Sequence, residues 1–232
     1  MQKQRLVVAV HTGPVTVAPL NALAPELIPG VRLVNLVDDS LLKDTMAAGR
    51  VTPAVTRRLS QYMTIGQEMG AAMILNCCSS VGEASDVGAA LLDIPVLKID
   101  VAMAEQAVAR ASRIGVAATV QTTLDPTARL IEATAASAGK PVHLVKRLCE
   151  GAFDALLAGD TATHDRIVAD ALVALAAEVD LIVLAQVSMG RVADGLGDAV
   201  PVPVLSSPRL GMERLAQRLA ALDGPAHAQA AA

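Results

Sequence analysis

Aromatic residues are almost absent from this chain. Its 232 residues include no Trp, one Tyr (Tyr62) and one Phe (Phe153). Proteins that bind single-stranded nucleic acids by stacking normally offer several aromatic rings to the bases. The chain also lacks a run of basic residues, and its formal net charge is -4. Both features argue against binding of DNA or RNA.

Cysteine is scarce as well, and the three cysteines are spaced neither as a disulfide framework nor as a zinc site. The sequence contains neither a GxGxxG motif nor a phosphate-binding loop. We therefore expect a site that uses no metal and no cofactor. The apolar run near the N-terminus is too short for a signal peptide, and no segment is long and apolar enough to span a membrane. These features predict a soluble, cytoplasmic protein that does not bind membranes.

Short apolar or β-branched segments alternate with helical patterns along the chain. The strand-like segments are RLVVAV, VRLVNLV, AAMILN, IPVLKI, RIGVAA, PVHLV, VDLIVLA and VPVL. Three pairs each place a capping side chain before a proline at an expected helix start: Thr52-Pro53, Asp125-Pro126 and Ser207-Pro208. The alternation predicts an α/β fold with mostly parallel sheets flanked by helices.

The first half of the sequence recurs weakly 108 residues later. This shift aligns RLVVAVHT (5–12) with RIGVAATV (113–120), ILNCCSS with IVLAQVS, and IPVL (94–97) with VPVL (202–205). A period this long indicates two similar α/β halves rather than a solenoid. The eight strand-like segments then give each half a mostly parallel four-stranded sheet.

Polar residues follow the predicted strands, where ligands of open α/β sheets bind. In the first half these residues are His11-Thr12 and Cys78-Ser79-Ser80; in the second half they are Thr119 to Thr123 and Gln186-Val187-Ser188. The repeat aligns Cys78 with Gln186. If the two halves face each other, these four loops enclose a small cleft.

Cys78 lies between a strand and the start of the next helix. Free backbone N–H groups and the positive end of the helix dipole favour a thiolate there, so we expect a lowered pKa. The same N–H groups and the hydroxyls of Ser79 and Ser80 suit a substrate carboxylate. Cys77 points to the opposite face of the strand and is interpreted as structural, as is Cys149.

His11 ends the first predicted strand and has two interpretations. In the functional interpretation it orients or deprotonates Cys78, or binds an anionic group. In the structural interpretation it is a histidine at a strand end with hydrogen-bond partners. In the second half, Thr119 and Thr122 offer hydroxyls suited to carboxylate oxygens.

Together these features resemble the aspartate/glutamate/hydantoin racemase superfamily over nearly the whole chain. NCCSS is similar to the cysteine motif of the first lobe, ATVQT to a Thr-x-x-Thr loop, and LAQVSM to the cysteine motif of the second lobe. The resemblance implies two pseudo-symmetric lobes with the active site between them, no cofactor, and a homodimer or higher homo-oligomer.

The resemblance also implies roles for individual residues. Cys78 takes the place of the first catalytic cysteine. The residues implied to bind substrate are His11, Thr12, Ser79, Ser80, Thr119, Thr122, Gln186, Val187 and Ser188. The last helix, about 208–221, is expected to pack on the first lobe. The predicted domains are therefore 1–100 plus 206–222, 101–205, and a disordered tail at 223–232.

The sequence departs from the family pattern at Gln186, where the racemases have their second catalytic thiol. An amide has no proton to exchange near neutral pH, so a symmetrical two-thiol racemase is not expected. Three hypotheses remain open. The chain is an isomerase or racemase with one thiol, acting at the α-carbon of a small carboxylate such as an amino acid, a hydantoin or a dicarboxylate. Alternatively it is a cofactor-free decarboxylase in which Cys78 protonates a carbanion, or a carboxylate binder without activity.

Overall fold

The computed structural model describes residues 4–222; the predicted disordered tail, 223–232, lies outside the described residues. The strands are β1 (Leu6–His11), β2 (Arg32–Val37), β3 (Met73–Asn76), β4 (Val96–Lys98), β5 (Arg113–Ala118), β6 (His143–Leu148), β7 (Leu181–Leu184) and β8 (Val204–Ser206). The α-helices are α1 (Val17–Leu27), α2 (Ser40–Ala48), α3 (Pro53–Glu68), α4 (Gly82–Ala89), α5 (Val101–Arg110), α6 (Gln121–Ser137), α7 (Ala152–Leu157), α8 (Thr161–Ala176), α9 (Gly190–Leu196) and α10 (Ser207–Leu222).

The strands form two four-stranded sheets, ordered β2-β1-β3-β4 and β6-β5-β7-β8. Every pairing is parallel. The prediction of an α/β fold with two mostly parallel four-stranded sheets is confirmed. Because both sheets have the same strand order, the internal repeat of the sequence is also a repeat of topology.

The chain divides into two compact units. Among the described residues, one unit contains 4–99 together with 208–222, and the other contains Asp100–Ser207. Each unit holds one of the two sheets. None of the helices in the described part of the chain combines the length and the apolar character needed to cross a bilayer.

The sheet of the first unit buries apolar residues on both faces, because successive strand residues point to opposite sides. Val7, Ala9 and Leu75 pack with residues of α1 and α10, including Leu20 and Met212. The residues between them, Val8, Val10 and Ile74, pack on the other face with Leu41, Val55, Leu59 and Met63 of α2 and α3. This arrangement explains why β1 and β3 read as continuous apolar runs in the sequence.

Helix α10 lies very close to the end of the first sheet. A Cβ atom on Gly211 would stand 2.4 Å from the carbonyl oxygen of Ile99, so this contact requires glycine. Arg209 forms two hydrogen bonds with the carboxylate of Glu26, at 2.7 and 2.9 Å. The Nη1 of Arg5 donates to the Leu219 carbonyl at 2.7 Å. These contacts attach the last helix to the first unit.

The structure agrees with the predicted helix start at Thr52 and differs from the one at Asp125. The Thr52 hydroxyl accepts from the Val55 N–H at 3.3 Å, and Pro53 begins α3. At the second pair the prediction is wrong, because α6 begins at Gln121 and Pro126 lies inside the helix. Asp125 accepts hydrogen bonds from Gln121 and Lys146 instead of capping. Pro126 is the sixth residue of α6, where it has no N–H to donate to the Thr122 carbonyl.

Candidate active site

The carboxyl ends of β1 and β3 are adjacent in the first unit. Val10 pairs with Asn76, and the Cys77 N–H donates to the Val10 carbonyl at 2.9 Å. His11 and Thr12 therefore lie beside Cys77 and Cys78, although more than sixty residues separate them in the sequence. The structure brings together the first-lobe residues that the sequence predicted, because neighbouring parallel strands end at the same edge of a sheet.

Four polar groups around the thiol of Cys78 favour its ionised form. They are the Thr12 hydroxyl, the N–H and hydroxyl of Ser80, and the N–H of Val81. The backbone donors belong to a single 3₁₀ turn, Ser79–Val81, which continues directly into α4. The Val81 N–H donates to the Cys78 carbonyl at 3.4 Å, and the Cys78 side chain does not cap the turn.

The two neighbouring cysteines occupy opposite faces of the first sheet, as the strand pleat predicts. Cys77 is buried on the face of α1 and α10, together with Val7 and Leu75. Cys78 is half-buried and packs against the cluster that contains Val8. Only Cys78 has the set of polar donors around its sulfur, so it is the candidate reactive thiol.

Burial raises the pKa of the Cys78 thiol above its ordinary value, although each of the four polar groups acts to lower the pKa. The prediction of a lowered pKa is therefore wrong for this chain. Loss of hydration disfavours the thiolate more than the donors favour it. Burial also raises the pKa of Cys77 strongly, and that of Cys149 to about 11. All three cysteines are protonated at neutral pH.

Asn76 is a positioning residue that the sequence reasoning missed. It ends β3, its side chain is buried, and its Nδ2 donates to the Cys78 carbonyl at 3.1 Å. This bond ties the end of β3 to the start of the turn that carries Ser80 and Val81. The signal in the sequence was a polar amide at the end of the apolar run MILN.

His11 is fully buried and both of its ring nitrogens have partners. Its Nε2 lies 2.9 Å from the Oδ1 of Asn35, and its Nδ1 lies 2.6 Å from the Oγ1 of Thr16. Since the Nδ2 of Asn35 donates to Asn21, its Oδ1 accepts from the histidine, and Nδ1 then accepts from the Thr16 hydroxyl. Burial lowers the pKa of this imidazole. These contacts favour the structural interpretation of His11 and leave Thr12 as the residue that reaches Cys78.

The second unit has an analogous contact at the carboxyl ends of β5 and β7. The Oε1 of Gln186 accepts from the Thr119 N–H at 2.6 Å and from the Thr119 hydroxyl at 3.0 Å. Thr119 therefore contacts Gln186 in the second unit as Thr12 contacts Cys78 in the first. Thr12 follows β1 and Thr119 follows β5, the first strand of each sheet in chain order.

The strand pairing corrects the alignment of the repeat by one residue. Asn76 and Leu184 are 108 residues apart, whereas their partners Val10 and Ala117 are 107 apart. Thr12 is therefore equivalent to Thr119, not to Val120 as the uniform shift implied. Cys78 remains equivalent to Gln186.

Because the Gln186 oxygen accepts both bonds from Thr119, its Nε2 points elsewhere. Within residues 4–222 this nitrogen has no hydrogen-bond partner, so it is a donor available to a ligand. The remaining predicted second-lobe residues lie in the 3₁₀ turn that follows β7 and in the first turn of α6. Val187 and Ser188 are half-buried in the 3₁₀ turn Val187–Met189, and the Thr122 hydroxyl is buried without a partner among the described residues.

Metal-ligating side chains and the positive charge of Lys98 are two further features that bear on the chemistry of the site. The described residues contain no group of three or more His, Cys, Asp or Glu placed to hold a metal ion. Lys98 ends β4 at the same sheet edge as Cys78, but its Nζ donates to the Oδ2 of Asp86 at 2.6 Å. Its charge is therefore held by a carboxylate of α4.

This chain matches one protein-family model and is similar in fold to many solved structures. The model of the Asp/Glu/hydantoin racemase family matches residues 6–215. Glutamate racemase from Francisella tularensis, solved in complex with D-glutamate, is similar with a TM-score of 0.73 and 12% identity, over 94% of this chain and 82% of that one. No curated protein sequence matches this chain.

Two other solved structures are similar at the level of the fold. A candidate Asp/Glu racemase from Yersinia pestis has a TM-score of 0.72 and 16% identity, over 92% of this chain and 98% of that one. Allantoin racemase from Klebsiella pneumoniae has a TM-score of 0.68 and 16% identity, over 94% and 88% of the two chains. At these identities the likeness describes a shared fold and carries no residue roles.

Proposed function

This chain belongs to the Asp/Glu/hydantoin racemase family, and from that membership we propose a cofactor-independent isomerase or racemase that acts at the α-carbon of a small carboxylate. Its single reactive thiol is Cys78. The observation that carries the proposal is the set of four polar groups around the Cys78 sulfur, each of which favours the thiolate. A merely structural cysteine, such as Cys77, packs among apolar side chains and needs no such donors.

The donors around Cys78 suit a group that alternates between thiol and thiolate. When Cys78 gives its proton to a carbanion, the sulfur becomes negatively charged, and hydrogen bonds to a charged acceptor are the stronger ones. In the reverse step the thiolate removes the α-proton and the charge moves onto the substrate carboxylate. General acid–base action of this kind typically supplies about 10²- to 10⁴-fold in rate.

The substrate-binding residues of the proposal are polar groups at the ends of strands in both units. They are Thr12, Ser79, Ser80, Thr119, Thr122, Gln186, Val187 and Ser188, and His11 supports the loop that carries Thr12. Hydroxyls and amide N–H groups hydrogen-bond carboxylate oxygens without a fixed positive charge. The free Nε2 of Gln186 and the unpartnered Thr122 hydroxyl support their inclusion.

The substrate class follows from the relatives. The Francisella structure holds D-glutamate, and the Klebsiella protein is an allantoin racemase. These compounds are small and carry a hydrogen on a carbon next to a carbonyl group. We therefore place amino acids, hydantoins and small dicarboxylates in the substrate class of this chain.

A second candidate function, cofactor-free decarboxylation, is favoured by two observations. Gln186 supplies no second acid or base, and burial keeps the Cys78 thiol protonated at rest. Loss of carbon dioxide leaves a carbanion that needs one proton on one face, and a protonated thiol provides it. Racemisation instead needs a second proton donor, for which Ser188 acting through a water molecule is our candidate.

The experiment is a product analysis with the full chain and a panel of amino acids, hydantoins, substituted malonates and maleate. Wild type, Cys78→Ala and the matched control Cys77→Ala are compared by chiral chromatography and by carbon dioxide release. Racemised or isomerised product that depends on Cys78 supports the first function. Carbon dioxide with a single enantiomer supports the second. Ligands that raise the melting temperature without any turnover in wild type would contradict both.

A further inference from the structure

A network of three polar side chains joins α8 to α9 in the second unit. The Nδ1 of His164 lies 2.8 Å from the Oδ1 of Asp165, and both residues belong to the start of α8. Arg191, the second residue of α9, donates to both carboxylate oxygens of Asp165, at 2.5 and 2.6 Å. One carboxylate therefore accepts hydrogen bonds from a neighbouring ring and from a guanidinium on the next helix, and bonds of this charged kind are among the stronger ones.

The imidazole of His164 is fully buried. The Arg191 guanidinium, followed by the His164 ring, lowers the pKa of the Asp165 carboxyl, so Asp165 is a carboxylate and can only accept. The Nδ1 of His164 therefore carries the hydrogen of this bond, while its Nε2 is buried without a hydrogen-bond partner among residues 4–222. A buried polar atom without a partner costs free energy that an apolar residue would avoid. What the histidine contributes is thus its Nδ1–H donor.

Helix α9 depends on its contacts with the rest of the second unit, because a helix of seven residues is too short to be stable alone. On its apolar side, Val192 belongs to the buried cluster that also contains Val168 and Leu172 of α8. On its polar side, Arg191 binds Asp165 of the same helix. The three-residue network therefore supplies the polar half of the attachment of α9.

The position of α9 bears on Gln186 because the two are joined without a break. Gln186 is followed by the turn Val187–Met189, and α9 begins at the next residue. Within this segment the Met189 N–H donates to the Gln186 carbonyl at 3.2 Å. The Oε1 of Gln186 in turn accepts from the Thr119 N–H at 2.6 Å. A fixed Arg191 therefore limits the movement of a short, hydrogen-bonded segment that ends at Gln186.

We propose that His164 and Asp165 are positioning residues for the substrate-binding turn that follows Gln186. They act through Arg191, whose place in the first turn of α9 sets where Gln186 and Ser188 lie. The Nε2 of Gln186 needs a fixed direction to donate to a substrate oxygen, since a hydrogen bond weakens steeply when its donor is misaligned. The inference rests on the proposed function, in which Gln186 and Ser188 bind the substrate. His164 and Asp165 themselves take no part in the proton transfer.

A second ion pair in the same unit offers a control with the same chemistry. Arg113 donates to both carboxylate oxygens of Asp180, at 2.6 and 3.2 Å. Arg113 begins β5 and Asp180 directly precedes β7, so this pair lies at the amino ends of the strands. Gln186 lies beyond the carboxyl end of β7, at the opposite edge of the sheet. Asp180→Asn therefore removes an Arg–Asp pair from the second unit without touching the turn.

The test is amide hydrogen exchange of the full-length chain, followed residue by residue with NMR. In Asp165→Asn the guanidinium of Arg191 loses its charged partner, so we expect the amides of residues 186–192 to exchange about tenfold faster. The Thr119 amide is expected to exchange faster as well, because it donates to the Gln186 side chain. In Asp180→Asn the amides of 186–192 and of Thr119 are expected to keep their wild-type rates.

His164→Leu separates positioning from stability. Leucine is apolar and leaves no unpartnered nitrogen in the interior, so the melting temperature is expected to stay the same or rise. The amides of residues 186–192 are nevertheless expected to exchange faster, because the donor to Asp165 is gone. His164→Asn keeps a side-chain N–H close to the position of Nδ1 and is expected to restore the wild-type exchange rates.

Several results would overturn the proposal. They are unchanged exchange of residues 186–192 in Asp165→Asn or His164→Leu, an unchanged Thr119 amide in Asp165→Asn, and an equal acceleration in Asp180→Asn. Exchange is measured without substrate, so a chain that turns over no compound of the panel would contradict the proposed function and leave these rates as they are. With a compound that wild type turns over, Asp165→Asn is expected to raise KM with little change in kcat, because Gln186 binds and does not react. A loss of kcat at unchanged KM would contradict the positioning role.

Discussion

Cys77 and Cys78 differ in chemistry because the strand pleat sends them to opposite faces of one sheet. Cys77 lies among aliphatic side chains, while polar groups of Thr12, Ser80 and Val81 lie around the sulfur of Cys78. These donors do not outweigh the loss of hydration, so the resting group is a thiol. A protonated Cys78 is ready to give a proton, and its donors then stabilise the thiolate that remains.

The raised pKa of Cys78 predicts the pH dependence of its alkylation. Only the thiolate reacts with iodoacetamide, and the thiolate fraction grows as the pH rises. The midpoint for Cys78 is therefore expected above the pKa of an ordinary thiol. Thr12→Val removes one donor to the thiolate and is expected to move the midpoint up by about one pH unit.

Peptide mass spectrometry after timed alkylation locates the modified cysteine and gives its rate. Thr12→Ser is the matched control, because it keeps the hydroxyl and is expected to keep the wild-type midpoint. Cys77 and Cys149 should stay unmodified in the folded protein because both are buried. An alkylation midpoint below that of a free thiol would contradict this account of the site, and so would a midpoint that is the same in wild type and Thr12→Val.

The sequence indicated which residues form the site, but it did not indicate their pKa values or their hydrogen-bond partners. The motif CCSSVG after an apolar run indicated which cysteine stands at the strand end. Its pKa depends on how much water the fold removes around the sulfur, and that quantity has no local signal. His11 shows the same limit, since its partners Thr16 and Asn35 come from the turn before α1 and from β2.

At the scale of elements, the strands were predicted well because buried parallel strands are continuous apolar runs. The start of α6 was not, because a capping residue before proline is a local signal that the strand end at Ala118 overrides. The register of the repeat was also off by one residue in β1 and β5. Only the pairing of each strand with its neighbour reveals such an offset.

The close contact of α10 with the first unit predicts a sharp effect of one methyl group. In Gly211→Ala the new Cβ would lie 2.4 Å from the Ile99 carbonyl oxygen, so the helix has to move. We expect a loss of about 1–3 kcal/mol in the free energy of unfolding, measured by urea denaturation. The cause is steric overlap with backbone, which cannot rotate away.

The control for Gly211→Ala is Gly195→Ala in α9. No atom lies within 4 Å of a Cβ built there, so alanine fits freely. Alanine also forms helices better than glycine, and we expect a change between zero and about 1 kcal/mol of added stability. If Gly211→Ala were as stable as wild type, α10 would not pack on the first unit as described.

At the scale of the whole molecule, one topology occurs twice with different chemistry at equivalent positions. In each unit, the residue two positions after the third strand contacts a threonine: Cys78 contacts Thr12, and Gln186 contacts Thr119. The threonine is common to both units, whereas the thiol occurs in one. The sequence showed the repeat and the missing thiol, but only the structure showed that Gln186 is fixed by its oxygen, with its nitrogen left to donate.

The central claim is that Cys78 transfers the proton at the substrate α-carbon. The most direct test is proton NMR in D₂O with a turned-over compound from the panel, following deuterium at that carbon. We predict incorporation by wild type and by Cys77→Ala, and a rate at least about 10²-fold lower for Cys78→Ala. Incorporation by Cys78→Ala at the wild-type rate would show that another group moves the proton, and the account of the site would be wrong.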